Sequence, residues 1–328
     1  WDRLDWVIDE CATRRLWVLL DLHGTAGGVD PWHSCGEKVP FRNRLWHNEA
    51  YLDRTEELWR AIAARYRTNT TVVGYDLINE PSPPVQADTA FCRNQAFSND
   101  VLPTLDRLYD AVRSTDTVHL VFMEGNQLST NLWDDARSWP APSAMGWSNT
   151  VIEFHAYAGI IWSDYDDQFE AQKEICDENV LALTEFRDAR NVPVFIGEFQ
   201  PGDPENHDYA YRRYNANGIH WCHWNYRSHG WMDSSRPEKG ATCWGLDYRS
   251  KATTNLVPNL RTDSLSTLYT AFEAYTYTNY EPYAQLQQVV LNNTSETETD
   301  YCEFYQNTFS CPNGLTLGDG WAWDRSRG

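Results

Sequence analysis

Val72-Val73-Gly74-Tyr75-Asp76-Leu77-Ile78-Asn79-Glu80-Pro81 is the stretch on which the reading of this chain turns. It is apolar, rich in β-branched residues, too short for a helix and stopped by a proline, so it reads as a buried parallel strand. A second run has the same form: Val192-Pro193-Val194-Phe195-Ile196-Gly197-Glu198-Phe199. Each run ends in a glutamate. A carboxylate placed where a strand stops being apolar lies at a mouth rather than in a core. Two of them on separate strands of one sheet could face each other across a cleft.

The flanking sequence supplies the rest of that sheet. Leu4, Ile8 and Cys11 form an apolar helical stripe, as do Leu52, Thr55, Trp59, Ile62 and Tyr66, and then Val101, Leu105, Leu108 and Val112. Asn99 or Asp100 is the expected cap of that third helix. Less regular helices are expected over about 168–190, 206–217 and 263–275. Between the helices lie strand-like runs: Leu16 to Leu22, Val72 to Asn79, Val118 to Met123, Val151 to Phe154, Val194 to Gly197 and Ile219 to His223. Repeated β–α alternation implies a parallel sheet covered by helices. Polar and aromatic residues gather at the C-terminal ends of these runs, the catalytic face of a β/α barrel.

The fold class is therefore α/β, a (β/α)8 TIM barrel. Six strands are visible where a closed barrel needs eight. The chain opens in a helix, so the expectation is an N-terminally truncated barrel whose first two strands precede Trp1. Residues 1–275 read as this barrel and 276–328 as a C-terminal extension of unassigned role. The extension has one strand-like run, Leu286 to Leu291.

Bulk properties narrow the function. The 328 residues carry a net charge of −20 with only four lysines, Lys38, Lys173, Lys239 and Lys251. Nucleic acid, which needs clustered basic residues, is excluded as a partner. A neutral polymer such as a polysaccharide suits this surface. No apolar run approaches membrane-spanning length. Eight cysteines without a C-x-x-C spacing argue against zinc. With sequons at Asn69, Asn292 and Asn293 they point to a secreted, extracellular glycoprotein with disulfides. Cys302 and Cys311 bracket a segment short enough to close a local loop. A monomer is expected.

Paired carboxylates on facing strand ends are what glycosidic bond cleavage requires, at separations of about 5–5.5 Å for retention and about 6.5–9.5 Å for inversion. The flanking motifs bring a resemblance into view. Leu20-Asp21-Leu22-His23-Gly24, Asn79-Glu80-Pro81, His155-Ala156-Tyr157, Ile196-Gly197-Glu198-Phe199 and Trp224-Asn225-Tyr226 occur in this order. The set resembles glycoside hydrolase family 5, the cellulase and mannanase family of retaining β/α barrels, over roughly residues 1–275.

The resemblance implies Glu80 as general acid/base and Glu198 as nucleophile. Asn79 would bind the 2-hydroxyl at the cleavage subsite. His23, His155 and Tyr157 would line it, and Trp224 would form the platform under the sugar. Asn126 and Trp231 are further substrate-binding candidates. No metal or cofactor is implied. The first substrate implied is a β-1,4-glucan, cellulose or mixed-linkage, with exo-β-1,3-glucanase and β-mannanase as alternatives. A non-catalytic glycan-binding protein is the alternative from another class, and retention of both glutamates weighs against it. A metal-dependent barrel hydrolase would need converging ligands such as His23, His155 and Asp21, but no H-x-H pair marks a first strand.

Bland readings stand beside these. One strand-end glutamate is often only a salt-bridge partner, and a lone His155 would be structural. Asp21, Asp76, Glu124 and Glu153 read as hydrogen-bonded groups inside or at the rim of the barrel, Glu124 being the one closest to a substrate role. Gly24-Thr25-Ala26-Gly27-Gly28 has no following GK[ST] and reads as a turn. Nine of the sixteen tryptophans fall at or after strand ends: Trp32, Trp46, Trp133, Trp139, Trp147, Trp162, Trp224, Trp231 and Trp244. Sugar rings stack on aromatic faces, so a third to a half of these are expected to touch substrate and the rest to pin loops.

Overall fold

The computed structural model describes residues 1–29, 43–85, 89–125, 138–157, 169–199, 204–228, 245–249, 259, 262–273 and 280–294. Six parallel strands form one sheet: β1 (Val18–Asp21), β2 (Val72–Asp76), β3 (Leu120–Glu124), β4 (Thr150–Ala156), β5 (Val194–Phe199) and β6 (His220–Trp221). Strand order in space equals strand order in sequence, β1 to β6. A doubly wound sheet reverses direction at a switch point; an unbroken run of neighbours is the wall of a barrel. These are six consecutive strands of a (β/α)8 barrel, as the sequence pattern predicts.

Helices cover the outside. They are α1 (Asp2–Thr13), α2 (Glu49–Tyr66), α3 (Ala90–Ala96), α4 (Leu102–Arg113), α5 (Phe169–Arg190) and α6 (Pro204–Ala216). On α2 the predicted stripe is the buried one: Thr55, Trp59, Ile62 and Tyr66 face the sheet. The indole of Trp59 donates to the Leu77 carbonyl at 3.0 Å. That bond fastens the stretch beyond β2, where regular pairing has ended but Leu77 and Ile78 remain buried. Asn79 N–H donates to the Leu22 carbonyl at 3.1 Å, so the segment stays aligned beside the β1 end until Glu80.

Two local expectations are corrected. Asn99 and Asp100 cap nothing: they lie in a π-helical turn, Phe97–Val101, that joins α3 to α4. The cap lies earlier, where the Thr89 hydroxyl accepts from Cys92 N–H at 3.2 Å. Leu286–Leu291 is not a strand but part of α7 (Ala284–Thr294). Its apolar run looks β-like, yet Leu286 and Asn293 are buried seven residues apart, with Val289 and Val290 packed on the core between them, which is helical spacing.

Helix α7 lies on α6, where Asn293 Nδ2 donates to Asp208 Oδ1 and Asn215 Nδ2 to the Asn293 carbonyl, both at 2.9 Å. A small sheet of β7 (Arg227–Ser228), β8 (Asp247–Arg249) and β9 (Tyr280–Pro282) precedes it. Cys11, Cys92, Cys176 and Cys222 carry free thiols; Cys35, Cys243, Cys302 and Cys311 lie outside the described residues. No helix among the described residues is long and apolar enough to cross a membrane.

Candidate active site

Side chains that follow the two edge strands of the described sheet meet at its C-terminal end. His23 follows β1 and Trp224 follows β6, yet their rings stack at 6.2 Å with an interplanar angle of 18°. The sheet must curl for the residues after its first and sixth strands to come this close, which narrows the mouth over the strand ends. His23 Nε2 lies 2.6 Å from Asp21 Oδ2 at the foot of this stack.

Inside that mouth, His155 at the end of β4 joins the two glutamates named from sequence. Its Nδ1 lies 2.9 Å from Glu80 Oε1 and 3.5 Å from Glu198 Oε2. Tyr157 donates its hydroxyl to Glu198 Oε2 at 2.6 Å. His155 is therefore nearer the carboxyl after β2 than the one on β5. Glu80 takes a left-handed φ of +47°, unusual for a side chain of this size, which turns the backbone sharply just before Pro81. Asn79, 2 % exposed, sits beside it.

A bulge sets the other carboxylate. The β4–β5 ladder passes from Phe154↔Ile196 to His155↔Glu198 and skips Gly197. In-register neighbours on parallel strands share a face, so the extra residue brings Glu198 to the side of His155. Gly197 also leaves room for Glu153: a Cβ at Gly197 would lie 1.6 Å from Glu153 Oε1.

Below this layer carboxyls lie in adjacent pairs, Asp21↔Asp76 on β1–β2 and Glu124↔Glu153 on β3–β4, all of them buried except Asp21 on the edge strand. Asp76, Glu124 and Glu153 are buried and all pushed above the ordinary carboxylate range, in each case chiefly by burial. The charges of Glu153 and Asp21 add to this at Asp76, those of Asp76 and Glu80 at Glu124, and that of Glu124 at Glu153. A hydrogen bond between Asp76 and Glu153 holds a proton on Asp76 and favours charge on Glu153. Burial also raises Glu198, while His155 and the Tyr157 hydroxyl work against it. Burial and the Glu198 charge push the Tyr157 phenol up, so it stays a donor.

Raised carboxyls have a consequence for stability. The folded chain keeps protons at pH values where the unfolded chain has released them. That advantage is complete below the ordinary carboxylate range and is lost as pH rises through it toward the raised values. Stability should fall across that window by up to about 1.4 kcal/mol per pH unit for each retained proton. Asp76→Asn keeps a donor toward Glu153 but removes one titrating group. Thermal melts from about pH 4.5 to about pH 8 should show a shallower decline in this variant; an unchanged slope would contradict the assignment.

The structure therefore brings Glu80, Glu198, Asn79, His23, His155, Tyr157 and Trp224 to one end of the sheet. Asn126 and Trp231 lie outside the described residues, as do Trp32, Trp133, Trp162 and Trp244. Trp139 and Trp147 are core residues rather than cleft walls: Trp139 packs edge-on against Phe97, and Trp147 donates to Asp106 Oδ1 at 2.7 Å. Trp46 is held by its indole bond to the Val29 carbonyl at 2.6 Å.

Glu124 was placed by sequence no more closely than the barrel interior or rim. Here it touches both Glu80, through the backbone N–H, and His155. Its signal was there, a glutamate ending Val121-Phe122-Met123-Glu124-Gly125. One atom each of Glu80, Glu124 and His155 lie within 4.8 Å of one another, a spacing that would admit a cation. His155, however, meets the carboxylates with both ring nitrogens, Nδ1 hydrogen-bonded to Glu80 and Nε2 within 3.2 Å of Glu124, rather than aiming one ligand atom at a common point.

Residues 1–230 match the family described as cellulase, glycosyl hydrolase family 5. The chain belongs to glycoside hydrolase family 5. Among its family relatives, a β-xylosidase of Phanerodontia chrysosporium is 29% identical over 251 residues, covering 70% of this chain and 48% of that protein. A probable glucan 1,3-β-glucosidase A of Aspergillus fumigatus is 29% identical over 200 residues, 60% of this chain and 42% of that one. The chain thus spans about half the length of the curated relatives it matches. The solved family 5 lichenase from Caldicellulosiruptor sp. F32 superposes with a TM-score of 0.52 at 18% identity, over 75% of this chain and 68% of that one, a likeness of fold.

Proposed function

We propose that this family 5 protein hydrolyses β-glycosidic bonds in a β-glucan with retention of configuration, by double displacement. Glu198 attacks the anomeric carbon while Glu80 protonates the departing glycosidic oxygen. A covalent glycosyl ester on Glu198 results. Glu80, now a carboxylate, then takes a proton from the incoming water as the ester is released. The observation that carries this reading is the single nitrogen, His155 Nδ1, lying against both carboxylates. The two oxygens it meets cannot be farther apart than the sum of 2.9 and 3.5 Å. A shared partner of this kind keeps the two carboxyls close, which suits the about 5–5.5 Å of retention better than the about 6.5–9.5 Å of inversion.

The surrounding groups fit the assigned roles. The Tyr157 hydroxyl, donating to Glu198, offsets part of the burial that would otherwise hold a proton on it. Asn79 lies beside the acid/base to meet a sugar hydroxyl. The stacked Trp224 and His23 rings offer an apolar platform at the mouth. No step calls for a metal or a cofactor. The reading extends to a secreted monomer, supported by the sequons at Asn69 and Asn292 and the strongly acidic, lysine-poor composition; the Asn293 amide is buried and bonded to Asp208 and lends no support.

A β-1,4-glucan, cellulose or mixed-linkage, is the first substrate, supported by the cellulase-like Gly74–Pro81 segment. A β-1,3-glucan is the second, supported by the Aspergillus relative. Hydrolysis of carboxymethylcellulose, barley β-glucan, laminarin, β-mannan and xylo-oligosaccharides by wild type and Glu80→Gln tests both layers. Wild type should cleave at least one β-glucan. Glu80→Gln should lose roughly 10²–10⁴-fold on it, and far less on an aryl glycoside whose leaving group needs no proton. Undiminished glucan hydrolysis by Glu80→Gln would remove Glu80 from the reaction.

A further inference from the structure

Glu124 is a buried carboxyl beside the reacting groups that the reaction above does not use. It ends β3 and grips Glu80 at both ends. Its Oε2 accepts the Glu80 backbone N–H at 2.5 Å, at the residue held in the left-handed region. Its Oε1 lies 3.2 Å from His155 Nε2, and Nδ1 of the same ring lies 2.9 Å from Glu80 Oε1. Glu80, the imidazole and Glu124 form one string. In a neutral imidazole one nitrogen carries the proton and the other accepts, and the partner on one side decides which.

We propose that Glu124 is a positioning residue that fixes the ring proton of His155 on Nε2, so that Nδ1 is left as an acceptor for the acid proton of Glu80. This rests on the reading of Glu80 as acid/base. The Glu124 carboxylate then accepts twice, from the Glu80 N–H and from Nε2–H, so both of its oxygens are satisfied in the interior. Glu80 in its acid form donates to Nδ1. With the ring proton on Nδ1 instead, that N–H would face Glu80 and favour its carboxylate, weakening the acid needed for the first step.

The other groups around the ring are Glu198 at 3.5 Å and Glu153 at 3.9 Å, with Tyr157 on Glu198 and Asp76 behind Glu153. Neither Glu153 nor Glu198 reaches Nε2 as closely as Glu124. If Glu124 takes up a proton, its O–H can donate to Nε2 and the ring proton moves to Nδ1. The arrangement therefore holds only above the pH at which Glu124 titrates, a limit that burial raises.

Glu124→Gln is a discriminating variant because its geometry leaves one choice. The Glu80 N–H needs an acceptor, so the amide oxygen takes the place of Oε2 and the NH₂ faces Nε2. The ring proton is driven to Nδ1. Long-range proton–nitrogen spectra of protein labelled with ¹⁵N-histidine, with His155→Gln to identify the signal, read this directly. Above the pH at which Glu124 loses its proton, wild type should show the Nε2–H tautomer, and Glu124→Gln the Nδ1–H tautomer at the same pH. For kcat/KM on barley β-glucan, the basic limb of the pH profile should move down by roughly one pH unit or more in the variant.

A wild-type Nδ1–H tautomer, or a His155 spectrum unchanged by Glu124→Gln, would overturn the proposal. If the variant does not fold, the wild-type tautomer alone decides. Glu80→Gln, measured in parallel on the same substrate, separates the two claims. Its full activity would defeat the acid/base reading, whereas its inactivity with an unshifted Glu124→Gln profile would defeat only the role given to Glu124.

Discussion

Glu198→Gln is expected to lower turnover of the β-glucan substrate by roughly 10⁴-fold or more, the scale of losing a covalent nucleophile. The change is nearly isosteric. The Tyr157 hydroxyl, 2.6 Å from Glu198 Oε2, can donate to an amide oxygen as it does to the carboxylate. Stability should therefore change little, and the loss should lie in kcat. An amide cannot form the glycosyl ester, and among the described residues no third carboxylate meets His155 Nδ1 as Glu80 and Glu198 do. Asp76 and Glu153 lie in the interior layer, and Glu124 is engaged by the Glu80 N–H. Glu198→Ala should lose as much and regain turnover with added azide. Wild-type rates in Glu198→Gln, measured on folded protein, would end the assignment.

Gly197→Ala should be the most damaging single methyl in the site. The added Cβ would fall 1.6 Å from Glu153 Oε1 and 2.6 Å from its Cδ. The Glu153 carboxyl must then leave its bed, and it is buried and bonded to Asp76. Overpacking a core costs about 1–3 kcal/mol, and breaking a buried polar pair costs about 1–3 kcal/mol more. A loss of roughly 3 kcal/mol or more is expected in urea unfolding. The same shift would disturb the bulge that turns Glu198 toward His155, so activity should fall in whatever fraction remains folded. Glu153→Ala in the Gly197→Ala background should recover part of the stability, because it vacates the space the methyl needs. A Gly197→Ala protein within about 0.5 kcal/mol of wild type would show that the clash is relieved elsewhere.

Much of this site is legible in the sequence because it depends on local pattern. Val72 to Pro81 announces a strand by its β-branched residues and its proline stop, and the Asn-Glu pair marks where the strand opens to the mouth. The order of the strands follows from alternation alone, since parallel neighbours need a helical return. Other features depend on how strands register, which pattern does not carry. The skipped Gly197 is one residue in a ladder, and only pairing with β4 shows that it both aims Glu198 and makes room for Glu153. Glu124 gains its place from a left-handed turn at Glu80, forty-four residues away, and from an imidazole on a third strand.

The remaining misreadings have the same origin. Leu286 to Leu291 looks like a strand until α6 offers it a helical face to pack on. Asn99 and Asp100 are good capping residues, but the helix has already begun at Ala90 behind the Thr89 cap. Trp139 and Trp147 follow the positional logic of a sugar-lined cleft and are instead consumed by the core. In each case tertiary packing outweighed a local preference.

The central claim is a double displacement across Glu80 and Glu198, and the anomer formed first tests it most directly. Proton NMR during hydrolysis of the preferred β-glucan, begun before mutarotation, should show the β-anomer of the new reducing end appearing first and the α-anomer growing in later. An α-anomer formed first would mean inversion and would contradict the account.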